Sequence, residues 1–252
     1  MSENPYEHDR VLNTYLLFHY GTREEILAGS HLEAAGAALE DRYFQFPVTT
    51  VTETFQGDGA PFVRALDLGC AVGRSSFELS KLADEVIGID FSRAFIEAAE
   101  SLSAGQTLRY QRYSEAHLSD SLLATAPTDA RLDRVAFETG DAMNLRQDLG
   151  AFDLVHAANL LCRLPEPLRL LHRLPDLVKP GGQLVMTTPA TWLDDYTPAA
   201  NQPPGLTLDF LKAHLGEDFS LRDEPRELPF LIREHVRKFQ ISTSQTSVWV
   251  RV

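Results

Sequence analysis

The segment Leu66-Asp67-Leu68-Gly69-Cys70-Ala71-Val72-Gly73-Arg74 constrains the fold more than any other. An apolar run, Val63–Leu68, leads into it, and a helical pattern from about Ser75 to Leu82 follows. The chain must turn sharply from strand to helix there. Glycine suits such a turn because it leaves room for a neighbour or a ligand beside the backbone. Twenty-three residues after Asp67, Asp90 ends a second apolar strand, Glu85–Asp90. A carboxylate at that place can accept hydrogen bonds from both hydroxyls of a ribose.

The same rhythm continues. The spacing predicts a helix over Ala94–Ser101, strands at Val135–Glu138 and Phe152–Ala158, and a helix over Pro167–Val178. A Lys179-Pro180-Gly181-Gly182 turn and a fifth strand, Gln183–Thr188, follow. Strands alternating with helices predict an α/β, Rossmann-like sheet, mostly parallel, with right-handed crossovers. The tail differs. After a helix over Leu208–Leu215 closed by Gly216, the runs Phe219–Arg222 and Ser247–Val252 predict an antiparallel hairpin at the sheet edge. Residues 224–245 then form a long excursion between its strands, and long connections are commonly functional. Gly105–Arg134 interrupts the rhythm and reads as an insertion or cap element.

Residues 1–60 read as a separate helical cap or lid on a core of residues 61–252. Val11, Tyr15, Leu16, Phe18 and His19 recur at helical spacing before Gly21, and further helices fit Arg23–Ala28 and Leu32–Ala38. The aromatic stretch Tyr43–Pro47 ends in proline and is expected to be extended or a turn. Gln56–Pro61 has the composition of a hinge.

Charge narrows the partners. The 252 residues carry 23 Lys+Arg against 36 Asp+Glu, a formal net of −13. Such a surface repels nucleic acid and anionic membranes. Cys70 and Cys162 stand 92 residues apart, which supplies neither a disulfide framework nor a zinc site, so no metal is expected. The polar start, Met1–Pro5, and the lack of an apolar run near ~18 residues lead to the expectation of a cytoplasmic protein.

Two nucleotide cofactors use a glycine turn followed by an acid. Dinucleotide sites have Gly-x-Gly-x-x-Gly with a pyrophosphate over the helix start. Here the spacing is Gly69-x-x-x-Gly73, position 71 is Ala, and acidic Asp67 is a poor neighbour for pyrophosphate. The pattern resembles the S-adenosylmethionine (SAM) turn of class I methyltransferases. That resemblance assigns the turn residues Asp67, Gly69, Cys70, Ala71 and Gly73 to the cofactor. It also assigns the ribose to Asp90 beside Phe91, and the adenine to Asp141 and Ala142. It places Asn159 in the loop after strand four. The plainer reading keeps a bare strand–helix turn, an N-cap at Asp90 and a small filler at Cys70.

Further segments narrow the resemblance. Tyr15–Gly21, Arg42–Pro47, Gly88–Ile96, Ala157–Leu164, Thr191–Leu193 and Leu228–Glu234 look like the methyltransferase of ovothiol biosynthesis, over about Tyr6–Val252. That family is either fused to an iron-dependent sulfoxide synthase or separate from it. The resemblance implies the stand-alone form, SAM-dependent N-methylation of the imidazole of 5-thiohistidine, and a separate synthase as a further partner. Other small amine, thiol or carboxylic acid acceptors, and a non-catalytic SAM-binding partner of a synthase, remain open readings.

An imidazole nitrogen already has a lone pair, so the reaction mainly needs proximity and a fixed tautomer. His19, Tyr20 and Asn159 are the catalytic candidates. Tyr15 and Phe46, with Phe44, are expected in an aromatic lid. Trp192 is the candidate to stack on the ring, and Arg163 to serve the acceptor pocket. Because thiohistidine is anionic, Arg233, Arg237 and Lys238 are expected to supply cations, with Glu234 for the substrate amine.

Overall fold

The computed structural model describes residues 4–57, 59 and 61–252. Met1–Glu3, and Asp58 and Ala60 of the expected hinge, lie outside the described residues. Helix α1 (Asp9–Tyr20) ends at Gly21, where the backbone becomes extended. Helix α2 (Arg23–Leu27) starts from a capping box in which Thr22 and Glu25 satisfy each other's backbone N–H. Helix α3 (Leu32–Ala35) passes into a single 3-10 turn, Gly36–Ala38. The aromatic stretch is helical rather than extended. A 3-10 turn at Asp41–Phe44 leads into α4 (Phe46–Thr52). Pro47 sits in the first turn of α4, where its missing N–H leaves no bond unmade, so the proline starts a helix instead of ending a segment.

The core then follows the expected rhythm: β1 (Phe62–Leu68), α5 (Arg74–Leu79), β2 (Ala83–Asp90) and α6 (Arg93–Ser103). The insertion folds as an antiparallel hairpin, β3 (Leu108–Tyr113) and β4 (Ser119–Ala124). Next come β5 (Val135–Thr139), β6 (Phe152–Ala158), α7 (Pro167–Leu177), β7 (Val178–Thr188), α8 (Thr207–Leu215) and β8 (Phe219–Leu221). Two long strands, β9 (Arg226–His235) and β10 (Lys238–Arg251), complete the chain.

The main sheet runs β5-β2-β1-β6-β7-β10-β8. The first five are parallel, and β10 lies antiparallel to both β7 and β8. This is the α/β sheet with an antiparallel edge that the pattern predicts. Two local expectations change. Lys179–Gly182 is not a free turn but an irregular stretch inside β7, with Gly181 at φ +77°. The excursion at 224–245 is not a loop. Its residues pair as β9 and the first half of β10.

Central parallel strands are covered on both faces and therefore read as continuous apolar runs. One face packs Leu66, Leu68, Val155 and Leu184 against Leu170, Leu174 and Trp249. On the other side a second cluster joins α1 and α2 (Leu16, Ile26) to Phe77, Phe95, Tyr110 and Leu231. Each such buried side chain contributes roughly 1.5–3 kcal/mol. The expected cap therefore shares a core with the hairpin and the sheet's helices. Gly73 serves this packing. Its φ is +87°, and a Cβ there would stand 2.7 Å from Phe137 Cζ and 3.0 Å from Ala99 Cβ.

Candidate active site

The carboxyl ends of β1, β2, β5 and β6 open onto one cavity of about 410 Å³, walled on the outer side by Tyr15, Phe18 and His19 of α1. It lies where the strand order reverses between β1 and β6, the usual ligand position of an open α/β sheet.

Asp90 stands at the end of β2. Its two carboxylate oxygens accept from Ala71 N at 2.9 Å and Ser92 N at 2.8 Å. Ala71 holds a positive φ of 48° in the glycine turn, so the turn itself fastens the acid. Burial, only partly offset by these bonds, pushes the Asp90 carboxyl up to about 6. Gly69, Cys70 and Ala71 line the cavity beside it, with Phe91 at the mouth, 64% exposed. A Cβ on Gly69, at φ +71°, would come within 3.1 Å of Leu160 Cδ1. Gly140, Asp141 and Ala142 follow β5 on the same wall, and Asp141 Oδ1 accepts from Met143 N at 2.8 Å. Burial pushes the Cys70 thiol well up, which suits a filler rather than a nucleophile.

The far side carries different chemistry. Asn159 follows β6 in a left-handed conformation, φ +54°, unusual for a residue with a side chain. Its side-chain carbonyl accepts from Thr187 Oγ1 at 2.9 Å and Ser244 Oγ at 2.8 Å. Two hydroxyl donors on one oxygen fix the amide orientation and leave its NH2 to donate. His19 lines the cavity with Nδ1 unpartnered among the described residues. Burial and the Arg74 charge hold its pKa down at about 3, so it is neutral at ordinary pH. Arg163 is the one Arg or Lys lining the cavity among the described residues. Its guanidinium donates to Thr191 O at 2.9 Å and lies 4.7 Å from the centre of the Tyr196 ring. Tyr15 and Phe46 line the cavity. Burial and the nearby Asp90 charge push the Tyr15 hydroxyl up to about 12.

Other candidates do not reach it. Tyr20 donates its hydroxyl to Val72 O at 2.7 Å, bracing the glycine turn from outside. Phe44 packs in the α1–α2 core rather than in a lid. Trp192 packs on the core beside α8, and its ring N–H donates to Thr207 Oγ1 at 2.9 Å. Arg233 is 3% exposed and donates to Ile26 O and Ala28 O, both at 2.8 Å. Those carbonyls end α2 and lack helical partners, so Arg233 acts as a C-terminal cap. Burial lowers its pKa to about 10. Arg237 pairs with Glu115 at 3.0 Å, and Lys238 with Glu234 at 2.7 Å, all on exposed surface. Asp67 is also off the cavity lining. It lies beneath the turn, accepting from Ser76 Oγ at 2.6 Å and facing His156 Nδ1 at 2.7 Å.

Tyr6, Asp195, Tyr196 and His156 also line the cavity, although no sequence motif marks them. Tyr6 is held there because its carbonyl accepts from Ser92 Oγ at 2.9 Å, while Glu7 accepts from Arg93 N and Ala94 N. Glu7 thus caps α6, and an acid at a helix start far along the chain leaves no periodic trace. Among the described residues no cluster of three or more His, Cys, Asp or Glu side chains is placed to hold a metal ion, and no helix is long and apolar enough to cross a membrane.

Comparison with known proteins agrees with this layout. A family model described as "Methyltransferase domain" matches residues 29–241. A ubiquinone biosynthesis O-methyltransferase of Coxiella burnetii is 27% identical over 123 residues, 49% of this chain and 42% of that protein. One of Xanthomonas campestris pv. campestris is 26% identical over 193 residues, 76% of this chain and 62% of that protein. The chain thus spans less than two thirds of the length of these relatives. The N-methyltransferase NodS of Bradyrhizobium japonicum WM9, solved with S-adenosyl-L-homocysteine, superposes with a TM-score of 0.51 at 13% identity, covering 95% of this chain and 98% of NodS. The [4+2]-cyclase SpnF gives 0.51 at 21% identity, over 86% of this chain and 72% of SpnF. Similarity at these identities reports the shared fold.

Proposed function

We propose that this chain, which belongs to the methyltransferase domain family, is a SAM-dependent N-methyltransferase acting on the imidazole of 5-thiohistidine. The observation that carries the reading is the convergence of Arg163, Asn159 and a neutral His19 on the cavity whose opposite wall holds Asp90 and Asp141.

The residues fit the cofactor. Asp90 faces the cavity with its carboxylate fixed by two backbone N–H groups, and Gly69, Cys70 and Ala71 form the wall beside it. Asp90 would hold the ribose, Asp141 and Ala142 the adenine, and Phe91 would cover it at the mouth. When bound, SAM supplies a methyl group on a sulfonium, open to in-line attack.

Everything else falls to the protein's own groups. His19 accepts a hydrogen bond from the acceptor's ring N–H, which fixes the tautomer and leaves the other nitrogen's lone pair free. Asn159 donates its amide N–H to the acceptor side of the cavity. Arg163 receives the substrate's anionic group, and Asp195 its amine. Tyr6, Tyr15, Phe18 and Phe46 exclude water and hold the reactants close, where much of the acceleration arises. The carboxylate, thiolate and amine of a free amino acid match a cavity with one arginine and a rim acid. A separate sulfoxide synthase would act upstream, and cleavage of a C–S bond in its sulfoxide product would yield the thiohistidine.

A second reading is methyl transfer to a phenolic oxygen. The apolar wall of Phe18, Phe46 and Ile232 and the O-methyltransferase names of the curated relatives favour it. An acceptor panel separates the two: 5-thiohistidine, histidine, a catechol and a small carboxylic acid, each with SAM, followed by mass spectrometry. The first reading predicts a methylated product from 5-thiohistidine alone. Turnover of the catechol without thiohistidine product supports the second.

A further inference from the structure

One buried constellation beside the cavity has no part in the mechanism above. Asp67 in β1 and His156 in β6 are paired in register, and both are 1% exposed. Asp67 accepts from Ser76 Oγ at 2.6 Å on one oxygen and meets His156 Nδ1 at 2.7 Å on the other. An ionised carboxylate only accepts, so the proton of that second bond belongs to Nδ1. With the ring proton on Nδ1, Nε2 is the nitrogen left to accept. Nε2 is buried and has no partner among the described residues. His156 lines the cavity together with Pro47, Ser75 and Ala158. Ser75 offers that place no free donor proton, since its hydroxyl donates to Pro47 O at 3.1 Å. Buried acceptors are rarely left unpaired, so this nitrogen marks a place for a ligand's donor.

The direction of the ligand follows from the sheet. Asp90 ends β2 and His156 lies in β6, with β1 between them. Two strand spacings make roughly 10 Å, a span that a ribose extended by a four-carbon amino acid can bridge.

We propose that His156 Nε2, oriented by Asp67, accepts a hydrogen bond from the ammonium at the amino-acid end of the cofactor. The inference rests on the reading of the cavity as a SAM site. Asp67 then acts on the cofactor indirectly, through a histidine that it orients. The pair thereby selects thioether nucleosides that carry an amino acid over those that lack one.

Calorimetry with two probes tests this: S-adenosyl-L-homocysteine, and 5′-methylthioadenosine, which keeps the nucleoside and sulfur but has no amino acid. His156→Asn and His156→Phe are expected to lose about tenfold or more in affinity for the first and nothing for the second. Because either variant can disturb folding around Asp67, the wild-type protein supplies an independent readout. With 15N-labelled histidine, the His156 Nε2 resonance is expected to shift on adding S-adenosyl-L-homocysteine and to stay in place with 5′-methylthioadenosine. Equal losses for both probes, or an Nε2 resonance unmoved by S-adenosyl-L-homocysteine, would overturn the inference while leaving the cofactor site standing. Failure of the wild-type protein to bind either probe would remove the cofactor reading and this inference with it.

Discussion

Ser244, in the middle of β10, donates its hydroxyl to the side-chain carbonyl of Asn159 across 2.8 Å. The long C-terminal hairpin is thereby tied to the loop after β6. Thr187 of β7 makes the companion bond at 2.9 Å. The two hydroxyls hold an amide whose backbone sits in a left-handed conformation that asparagine adopts more readily than most residues with a side chain.

Loosening that amide should affect turnover more than cofactor binding. Ser244→Ala is expected to lower kcat about tenfold while the dissociation constant for S-adenosyl-L-homocysteine changes by less than about twofold. Steady-state kinetics and calorimetry on the same preparation check the split. An equal loss in both would place Asn159 on the cofactor instead.

Arg163 is the cation of the cavity, so an anionic acceptor should depend on it. Arg163→Met is expected to raise KM for 5-thiohistidine by about 10- to 100-fold. The double variant Arg237→Ala/Lys238→Ala removes only exposed pairs with Glu115 and Glu234 and should leave KM within about twofold. Initial-rate measurements over acceptor concentration compare the two.

Asp90 gives a pH signature. Its carboxyl is raised from 3.8 to about 6 in the folded protein, so the native state binds this proton more tightly than the unfolded state does. The resulting stability is complete below about pH 4 and is lost as pH rises through about 6. In the proposed role, Asp90 accepts from the ribose hydroxyls best in its ionised form. Cofactor affinity should therefore rise from pH 5 to a plateau above about 7, and Asp90→Asn should abolish the rise. Calorimetry across that range reads it directly.

His19 acts with the opposite sign. Its pKa falls from 6.5 to about 3, so the unfolded state takes up this proton first. The stability associated with neutral His19 is present above about pH 6.5 and is lost progressively towards pH 3. Urea melts of the wild type and His19→Phe should diverge as pH falls from 7 to 4, with the variant losing less.

Much of the site could be read from residue order. The glycine turn, Asp90 and Asp141 sit at strand ends, and strand ends are marked by the change from apolar run to turn. Charge could not be read in the same way. Arg233 is as cationic on paper as Arg163, but it is spent on the open carbonyls of α2. Only the tertiary fold decides which arginine meets the cavity. Asp67 shows the same limit. The motif locates it beside the turn, but register with β6 sets it against His156. The β9–β10 hairpin read as a loop because Pro229 interrupts its apolar run, Leu228–Ile232, and the residues paired with that run, Lys238 to Ser244, are mostly polar.

The most direct test of the account is the destination of the methyl group. The protein would be incubated with 5-thiohistidine and SAM carrying a 13C-labelled methyl, and the product followed by NMR. The account predicts one labelled methyl, coupled to the imidazole ring carbons and thus bonded to a ring nitrogen. A methyl bonded to sulfur, or no labelled product from protein that binds SAM, would contradict it.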